Sequence, residues 1–425
     1  MIIEKLHQIF LQSPIVCTDT RKIEENCLFF ALKGDNFNGN EYAAEALVKG
    51  ATYAVVDEKR FETSERTILV DDVLQTLQKL ATFHRIHSNA KIIGLTGSNG
   101  KTTTKELINA VISKKYKTIA TIGNLNNHIG VPLTLLAIKR DTEMAIVEMG
   151  ANHLKEIELL CSIAQPDFGY ITNFGKAHLE GFGSVEGVIK GKSELYDYLI
   201  DHNKSIFLNA DDPVQFEKLG HYVKKYGFTK DKKDYYKIEF LDANPYVSIK
   251  VEDIQVDSTL IGSYNFTNCC AAVLMGKYFN VDLKDIKCAI ESYKPQNNRS
   301  QIIEKNGNQI ILDAYNANPS SMKVALENFN NLTGGPKIAF LGDMFELGKT
   351  ANAEHQNIAD LANDLDLEKV FLVGENFYRT NTPQRKFKDY KALALFLSKE
   401  NLPANSNMLI KGSRGMALER LLELL

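Results

Sequence analysis

One stretch of the chain, residues 91–107 (KIIGLTGSNGKTTTKEL), limits the possible folds more than any other part of the sequence. The β-branched apolar residues of Lys91–Thr96 predict a buried strand, and the straight-chain residues from Lys101 onward predict a helix. Glycines between the two let the backbone turn sharply, so that N–H groups and the positive end of the helix dipole point at an anion. Lys101 is then placed to reach the outer phosphates of a nucleotide, and the Thr102 hydroxyl to bind Mg²⁺. The stretch therefore predicts a phosphate-binding loop.

The glycine spacing departs from the strict phosphate-loop pattern. That pattern has an earlier glycine where this chain has Leu95, and the glycines that precede Gly100 are Gly94 and Gly97. A plain glycine turn before a helix is the alternative interpretation. The Gly-Lys-Thr sequence at a junction of strand and helix nevertheless favours phosphate binding.

The composition indicates a globular protein of several domains. The chain has 425 residues, of which 44% are hydrophobic and 24% charged, and this length predicts about three domains. A formal net charge of −3 argues against a nucleic-acid partner, because nucleic-acid-binding surfaces are usually basic.

The sequence also bears on the cellular location. Residues 1–10 alternate apolar residues with Glu4 and Lys5, so they lack the basic and apolar regions of a signal peptide. No apolar run is long enough to cross a bilayer, and we expect a cytoplasmic protein with no transmembrane segment. The six cysteines are scattered without C-x-x-C spacing, which predicts reduced and mostly buried thiols.

The hydrophobic pattern along the N-terminal part predicts a small α/β unit. Helices are predicted at 4–12, 42–49 and 73–87, and strands at 27–32 and 53–56. The polar, glycine-bearing loop 33–42 is of a kind that contacts ligands, although a surface connector is favoured on residue types alone. We place the first domain boundary near Ser88.

Strands and helices then alternate strictly from the phosphate loop to residue 208. Repeated βα units of this kind predict a doubly wound, mostly parallel sheet. Residues 235–260 predict an antiparallel extension, and residues 294–301 a linker.

A third unit follows the linker. A hairpin at 302–312, turning at Asn306-Gly307, precedes βα repeats that end in a predicted helix at 416–424. The predicted fold class is therefore α/β with three domains. They are a small N-terminal α/β domain at 1–88, a central phosphate-loop domain at 89–296 and a C-terminal Rossmann-like α/β domain at 297–425.

Two further polar residues follow predicted parallel strands. Ligands of open parallel sheets bind beyond the carboxyl ends of the strands, where Glu148 ends AIVEMG and His178 follows FGYITN. Thr102 with Glu148 is a suitable pair for Mg²⁺, whereas His178 would need a second, more specialised ion site. Taken singly, Glu148 also fits a solvated strand end, and His178 a loop residue bonded to backbone. Lys192, in a helical segment, fits an ordinary solvated lysine on residue type alone.

Eight motifs occur in order along the whole chain: GLTGSNGKTTTKEL, TIGNLNNHIGVPLTLL, IVEMGANHLKEI, NFGKAHLEGFGS, KGKSELY, DAYNANPSSM, LGDMFELG and KGSRGMALERLL. With them the chain resembles the Mur ligases of peptidoglycan synthesis. DAYNANPSSM and NLNNHIGVP resemble the branch of that family that adds a dipeptide.

The resemblance implies an ATP-dependent ligase that forms an amide bond through an acyl phosphate. The implied substrates are UDP-N-acetylmuramoyl-tripeptide and D-alanyl-D-alanine, and the implied cofactors are ATP and two Mg²⁺ ions. A carboxylate is a poor acyl donor, and phosphorylation gives it a better leaving group. Because the two reactants are anions, cations and N–H groups must stabilise the crowded charge.

The resemblance also implies roles for individual residues. Catalysis is implied for Lys101, Glu148, His178 and Lys192. ATP binding is implied for Gly97, Ser98, Asn99, Gly100, Lys101, Thr102, Thr103, Asn268, Arg299 and Asp313. The implied metal ligands are Thr102, Glu148, His178 and Lys192, where Lys192 matches the lysine that the family carbamylates with CO₂ to give N6-carboxylysine. Substrate binding is implied for Thr20, Arg21, Asn126, Asn127, Tyr315, Asn316 and Asn318.

The N-terminal unit matches the family less closely. Thr20, Arg21 and the loop 33–40 resemble the part that binds the uridine nucleotide. The chain has Asn38-Gly39-Asn40 where many members have Asp-Gly-His, which leaves individual uridine contacts open.

Two other functions remain as alternatives. One is a related ligase that adds a single amino acid, including the folylpolyglutamate type, and the other is a nucleotide-dependent switch that only hydrolyses ATP. The switch would leave the motifs of the outer domains unexplained. We expect a monomer, and the third residue of the acceptor peptide is left open.

Overall fold

The computed structural model describes residues 3–295, 298–400 and 402–425. The N-terminal part contains strands β1 (Ile15–Cys17), β2 (Cys27–Phe30), β3 (Lys33–Gly34), β4 (Phe37–Asn38), β5 (Tyr53–Val56) and β6 (Thr67–Leu69), and helices α1 (Ile3–Gln12), α2 (Ala43–Val48) and α3 (Val73–His87). A parallel sheet has the order β1-β2-β5-β6, and β3 pairs with β4 as a short hairpin. The strands β1 and β6, each of three residues, are not predicted from the sequence.

Helices α1 and α3 are joined by a buried pair of histidines. Nε2 of His84 lies 2.9 Å from the carbonyl oxygen of Ile138, and Nδ1 of His84 lies 3.0 Å from Nε2 of His7. A carbonyl only accepts hydrogen bonds, so Nε2 of His84 donates to it. Nδ1 of the neutral His84 ring therefore accepts the hydrogen bond from His7. Burial lowers the pKa of His7 to about 4, with smaller contributions from His84 and His87.

Stability is expected to fall as the pH is lowered from about 6.5 to about 4. In this window His7 stays neutral in the folded chain but is protonated in the unfolded chain, so the unfolded state binds more protons. We expect this residue to contribute a loss of about 1–3 kcal/mol, since one pKa unit corresponds to about 1.4 kcal/mol. Urea unfolding at a series of pH values measures it. His7→Gln keeps an N–H donor toward His84 and does not titrate, so its stability should fall less steeply than that of the wild type. Parallel curves for the two proteins would contradict the assignment.

The central part holds the largest sheet. Its strands are β7 (Lys91–Thr96), β8 (Thr118–Ala120), β9 (Met144–Glu148), β10 (Phe168–Ile171), β11 (Ser205–Asn209), β12 (Lys225–Thr229), β13 (Tyr236–Asp242), β14 (Tyr246–Val251) and β15 (Ile254–Ile261). Its helices are α4 (Lys101–Ile112), α5 (Gly130–Leu136), α6 (Glu156–Ala164), α7 (Leu179–Phe182), α8 (Val185–Asp201), α9 (Pro213–Leu219), α10 (Asn265–Tyr278) and α11 (Leu283–Ser292).

The nine strands of this sheet have the order β15-β14-β13-β12-β11-β10-β7-β9-β8. Neighbours from β8 to β13 are parallel, and β13, β14 and β15 are antiparallel. The predicted doubly wound sheet with an antiparallel extension is confirmed, although β12 is not predicted. Strand β7 lies between β9 and β10, and the chain continues outward on both sides of it. The loops after β7, β9 and β10 therefore open a crevice at the switch point of the sheet, where ligands of such folds bind.

The C-terminal part forms a second α/β layer. Its strands are β16 (Gln301–Lys305), β17 (Asn308–Asp313), β18 (Lys337–Gly342), β19 (Lys369–Val373), β20 (Arg385–Phe387) and β21 (Asn407–Lys411), and its helices are α12 (Pro319–Asn330), α13 (Ala351–Asp364), α14 (Glu375–Tyr378) and α15 (Tyr390–Leu397). The sheet order is β16-β17-β21-β18-β19-β20, parallel except for the predicted β16–β17 hairpin.

The predicted helix at 416–424 is wrong. This segment instead forms 3₁₀ turns at Arg414–Met416 and Leu418–Glu423. Between them Ala417 has a φ of +47°, a left-handed conformation that interrupts a regular α-helix.

The remaining expectations concern the domain boundaries, the cysteines and a transmembrane segment. The domain boundary predicted at 296/297 lies outside the described residues, and the boundary near Ser88 stays a prediction. Five of the six cysteines are buried free thiols and Cys288 is exposed, as expected. Within the described ranges, none of the helices combines the length and hydropathy needed to span a membrane.

Candidate active site

The loop between β7 and α4 depends on its two glycines. Gly97 has a φ of +140° and Gly100 a φ of +77°. A Cβ atom on Gly97 would lie 2.0 Å from Oγ1 of Thr172, and one on Gly100 would lie 2.8 Å from Oδ1 of Asn268. Both positions therefore need glycine for backbone conformation and for space.

Part of the loop backbone is already engaged by the neighbouring strand. The N–H of Ser98 donates to the carbonyl of Asn173 at 3.0 Å, and that of Asn99 donates to its side-chain oxygen at 3.1 Å. The expectation that these loop N–H groups face an anion is wrong for Ser98 and Asn99. The N–H groups of the first turn of α4, which lack partners within the helix, remain to bind phosphate.

Lys101, the first residue of α4, folds back over the loop. Its Nζ donates to the carbonyl oxygens of Gly97 at 2.6 Å and Ser98 at 3.2 Å. Burial lowers the pKa of Lys101, and the carboxylate of Glu148 partly opposes that shift. Among the described residues, the ammonium of Lys101 thus has backbone carbonyls of the phosphate loop as its hydrogen-bond partners.

Thr102 and Glu148 meet below this loop. Thr102 is the second residue of α4, and Glu148 is the last residue of β9. Oγ1 of Thr102 donates to Oε2 of Glu148 at 3.0 Å, and Nδ2 of Asn126 donates to Oε1 at 2.8 Å. Because Mg²⁺ prefers oxygen ligands and keeps several waters, this hydroxyl and carboxylate suit it. Glu148 is 1% exposed, so the interpretation as a solvated strand end is wrong.

Lys192 is buried in the middle of α8, so the interpretation as a solvated lysine is also wrong. Its Nζ donates to the carbonyl of Ala151 at 2.9 Å and lies 5.1 Å from the ring centre of Phe182. Burial lowers the pKa of Lys192 well below its usual value, and the charge of Lys101 lowers it further. A neutral lysine amine is the form that reacts with CO₂.

His178 lies between β10 and α7 with a φ of +53°. Its Nδ1 is 2.5 Å from Oε2 of Glu346, which belongs to the C-terminal part of the chain. The contact is to a carboxylate, so the expectation of a purely backbone-bonded histidine is wrong. The hydrogen bond from His178 lowers the pKa of Glu346.

Residues of the C-terminal part complete the site from the other side. The guanidinium of Arg299 stacks on the ring of Tyr315, with 3.7 Å between Cζ and the ring centre. Asp313 forms an ion pair with the buried Lys411. Nδ2 of Asn318 donates to Oδ1 of Asn99 at 2.7 Å, which joins the start of α12 to the phosphate loop.

Three asparagines accept hydrogen bonds from neighbouring groups through their side-chain oxygens. Oδ1 of Asn268 accepts from the hydroxyl Oγ1 of Thr104 in α4 at 2.9 Å. Oδ1 of Asn127 accepts from the N–H of Gly130, the first residue of α5, at 2.9 Å. Asn316 accepts from the N–H of Ala317 at 2.8 Å.

A cleft of about 1010 Å³ joins these residues into one site. Of the predicted site residues it is lined by Ser98, Asn99, Gly100, Lys101, Thr102, Thr103, Asn126, Asn127, Glu148, His178, Asn268, Arg299, Asp313, Tyr315, Asn316 and Asn318. Gly97 and Lys192 are not part of its lining, although Ala151, which accepts from Lys192, is. Lys411 also lines the cleft and is not predicted, although it belongs to the motif KGSRG.

Thr20 and Arg21 are not brought to this cleft. They lie in a 3₁₀ turn of the N-terminal part, where the guanidinium of Arg21 pairs with Asp19 at 2.7 Å. In the loop nearby, Nδ2 of the buried Asn40 donates to Asp57 at 2.8 Å, and Asn38 donates to Glu58 at 2.8 Å. The side chain of Asn40 thus secures the loop.

Three family descriptions match successive parts of the chain. They are "Mur ligase family, catalytic domain" at residues 14–85, "Mur ligase middle domain" at residues 95–276, and "Mur ligase, glutamate ligase domain" at residues 298–414.

Individual proteins are similar over nearly the full length. The UDP-N-acetylmuramoyl-tripeptide–D-alanyl-D-alanine ligase of Bacillus subtilis is 35% identical, over 96% of this chain and 92% of that protein. A crystal structure of MurF from Acinetobacter baumannii has a TM-score of 0.85 at 31% identity and covers 96% of this chain and 92% of its own. MurF ligase from Thermotoga maritima in complex with ADP has a TM-score of 0.84 at 28% identity, and 97% of each chain is covered.

Proposed function

Because this chain belongs to the Mur ligase family, we propose that it uses ATP to join D-alanyl-D-alanine to UDP-N-acetylmuramoyl-tripeptide in cytoplasmic peptidoglycan synthesis. The observation that carries the proposal is the shared cleft. It brings the phosphate loop and Glu148 of the central part against Arg299 and Asn318 of the C-terminal part. A ligase that transfers phosphate to one substrate and then admits a second needs such a site between two units.

In the proposed reaction, the terminal carboxylate of the tripeptide attacks the γ-phosphorus of ATP. The bond to the ADP oxygen breaks, and an acyl phosphate forms. The amine of D-alanyl-D-alanine then attacks the acyl carbon, the C–O bond to phosphate breaks, and the amine loses its proton. Lys101 and the first turn of α4 neutralise charge on the γ-phosphoryl group during the first step.

Bound Mg²⁺ would supply charge neutralisation between the phosphates and the substrate carboxylate. Thr102 and Glu148 fit one ion, since their oxygens meet below the phosphate loop. For a second ion we propose His178 and Lys192, the latter as N6-carboxylysine formed with CO₂. The unmodified ammonium has three donors and no acceptor, so it does not fit a cation.

The remaining site residues receive roles by their place in the cleft and their match to the family. Asn268 is proposed to contact the adenine of ATP, and Arg299 and Asp313 are proposed to contact ATP from the C-terminal part. The substrate residues proposed at the cleft are Asn126 and Asn127 for the sugar nucleotide, and Tyr315, Asn316 and Asn318 for the dipeptide. Thr20 and Arg21 are proposed to bind the uridine end of the sugar nucleotide. Domain 1–88 would then bind the UDP-substrate, domain 89–296 would bind ATP, and domain 297–425 would close over ATP and bind the dipeptide.

A phosphate-release assay tests the function. The acceptors D-alanyl-D-alanine, single amino acids and glutamate are offered in parallel with several muramoyl-peptide nucleotides. We expect phosphate release only when the dipeptide and a tripeptide nucleotide are both present. Release with a single amino acid or glutamate would favour the related ligases, and release without any acceptor would favour an ATPase switch. The nucleotides accepted would also identify the third residue of the acceptor peptide.

The central and C-terminal parts are expected to close on each other when ligands bind. The ATP contacts are divided between them, and closure would keep water from the acyl phosphate. Small-angle scattering should give a smaller radius of gyration with β,γ-methylene-ATP and the tripeptide nucleotide than without them. The scattering mass should match a monomer of 47.7 kDa. An unchanged radius of gyration would contradict closure.

A further inference from the structure

Glu346 belongs to the C-terminal part and contacts His178, which lines the candidate active site. It lies after β18, on a loop in the C-terminal part, and its carboxylate contacts Nδ1 of His178 in the central part. The backbone of the same loop also contacts α7, where the N–H of Glu180 donates to the carbonyl of Glu346 at 3.1 Å. The side chain of His178 is 17% exposed and that of Glu346 is 50% exposed, so the contact is enclosed on the side of the histidine.

The hydrogen bond determines which nitrogen of His178 is free. An ionised carboxylate only accepts hydrogen bonds, so Nδ1 of His178 carries the proton and donates to Glu346. In a neutral ring Nε2 then holds the lone pair. Histidine ligands of metal ions are commonly oriented in this way, with the second nitrogen donating to a carboxylate.

The loop that carries Glu346 is anchored at its base. The N–H of Met344 donates to Nε2 of the buried His355 at 3.0 Å, and the N–H of Phe345 donates to Oγ of Ser413 at 2.9 Å. Before it, Asp343 accepts hydrogen bonds from the first N–H groups of α14. Glu346 itself has a φ of +61°, a conformation that such anchoring must support. The position of its carboxylate is therefore set by the C-terminal part.

From this geometry we propose that Glu346 is a positioning residue, which holds His178 in the Nδ1-protonated form so that Nε2 serves as ligand of the second Mg²⁺ ion. The proposal rests on the proposed function, in which His178 helps to hold that ion. Since Glu346 and His178 lie on different parts of the chain, the second ion site is complete only when the C-terminal part is closed on the central part. Metal binding is thereby coupled to closure.

The alternative role of Glu346 is a simple link between the two parts. A second ion pair offers a matched control, because Nζ of Lys176 lies 2.7 Å from Oε1 of Glu354 on α13. This pair also joins the central part to the C-terminal part. The side chains of Lys176 and Glu354 bond to each other, and the described hydrogen bonds of His178 involve neither of them. Glu354→Gln therefore weakens a link of the same kind without changing the partner of His178.

The first measurement is the tautomer of His178, by nitrogen-15 NMR of histidine-labelled protein with β,γ-methylene-ATP and no divalent cation. The signal is assigned by its loss in His178→Gln. We expect the Nδ1-protonated form in the wild type and in Glu354→Gln, and a shift toward the Nε2-protonated form in Glu346→Ala. The same tautomer in Glu346→Ala and wild type would overturn the proposal.

The second measurement is Mn²⁺ binding, by electron paramagnetic resonance of the free ion during titration of the complex with β,γ-methylene-ATP. We expect Glu346→Ala to lower the affinity for one of two bound Mn²⁺ ions by about 10–100-fold, which is the usual effect of removing the hydrogen-bond partner of a metal ligand. Glu354→Gln should leave both affinities unchanged. Equal weakening in Glu354→Gln, or no second ion in the wild type, would overturn the proposal. If the wild type itself shows no dipeptide-dependent release of phosphate, the proposed function is refuted instead.

Discussion

Lys101→Ala is expected to lower ligation by about 10²–10³-fold, or about 3–4 kcal/mol of transition-state stabilisation, with the fold unchanged. This is the effect found when one preorganised donor to a developing negative charge is removed. Lys101 starts α4 at the phosphate loop, where its Nζ donates to the carbonyl oxygens of Gly97 and Ser98. Bound ATP would give that ammonium a phosphate to contact. The dipeptide-dependent release of phosphate at saturating ATP measures the effect on kcat.

An exposed lysine just after the same helix provides the control. Lys114→Ala also removes one ammonium but lies outside the cleft, so its activity should equal that of the wild type. Circular dichroism and the urea midpoint should be unchanged in both variants. Lys101→Ala activity within about tenfold of the wild type would contradict the phosphate-loop assignment, because a tenfold change corresponds to only about 1.4 kcal/mol.

The parts of the site that could be predicted depend on residues close together in sequence. The buried strand Lys91–Thr96, the two positive-φ glycines and the helix that starts at Lys101 follow from local preferences of these residue types. Glu148 could be placed at the same edge because parallel strands end on one side of a sheet. The doubly wound sheet itself follows from the alternation of strands and helices.

The parts that could not be predicted depend on contacts between distant residues. Glu346 and His178 are separated by 168 positions, and Lys411 and Asp313 by 98. Glu346 and Lys411 belong to the motifs LGDMFELG and KGSRGMALERLL, but nothing in either motif specifies a partner. The same holds for Lys192, whose residue type favours a solvated position.

Local preference also failed where tertiary packing decided the conformation. The apolar spacing of residues 416–424 is typical of an α-helix, yet the left-handed Ala417 divides the segment into 3₁₀ turns. Leu418 and Leu421 are both buried in the core of the C-terminal part. The burial of these side chains thus takes precedence over helix propensity, as it commonly does in short terminal segments.

The side chain of the buried Lys192 does not suit a cation in either of its unmodified forms. Its Nζ is enclosed between the ring of Phe182 and the carbonyl of Ala151, a residue that lines the cleft. An ammonium there would repel a cation, and a neutral amine would be a poor ligand for Mg²⁺, which prefers oxygen. Addition of CO₂ to the neutral amine forms a C–N bond, releases one proton and yields an anionic carbamate. The oxygens of that group would suit Mg²⁺.

Lys192→Ala is therefore expected to lower ligation by about 10²-fold or more, on the scale of losing one group that stabilises transition-state charge. Acetate or formate should restore part of the activity, because a small carboxylate can occupy the space that the proposed carbamate would fill. Lys192→Arg should be inactive and should not respond to these anions, since its fixed charge opposes the metal ion. Lys190→Ala, an exposed position on the same helix, should behave as the wild type.

Phosphate release with and without acetate measures the rescue of Lys192→Ala. Native mass spectrometry at non-acidic pH should detect the CO₂ adduct in the wild type but not in Lys192→Ala. Near-normal activity of Lys192→Arg, together with no adduct on the wild type, would refute the carbamate.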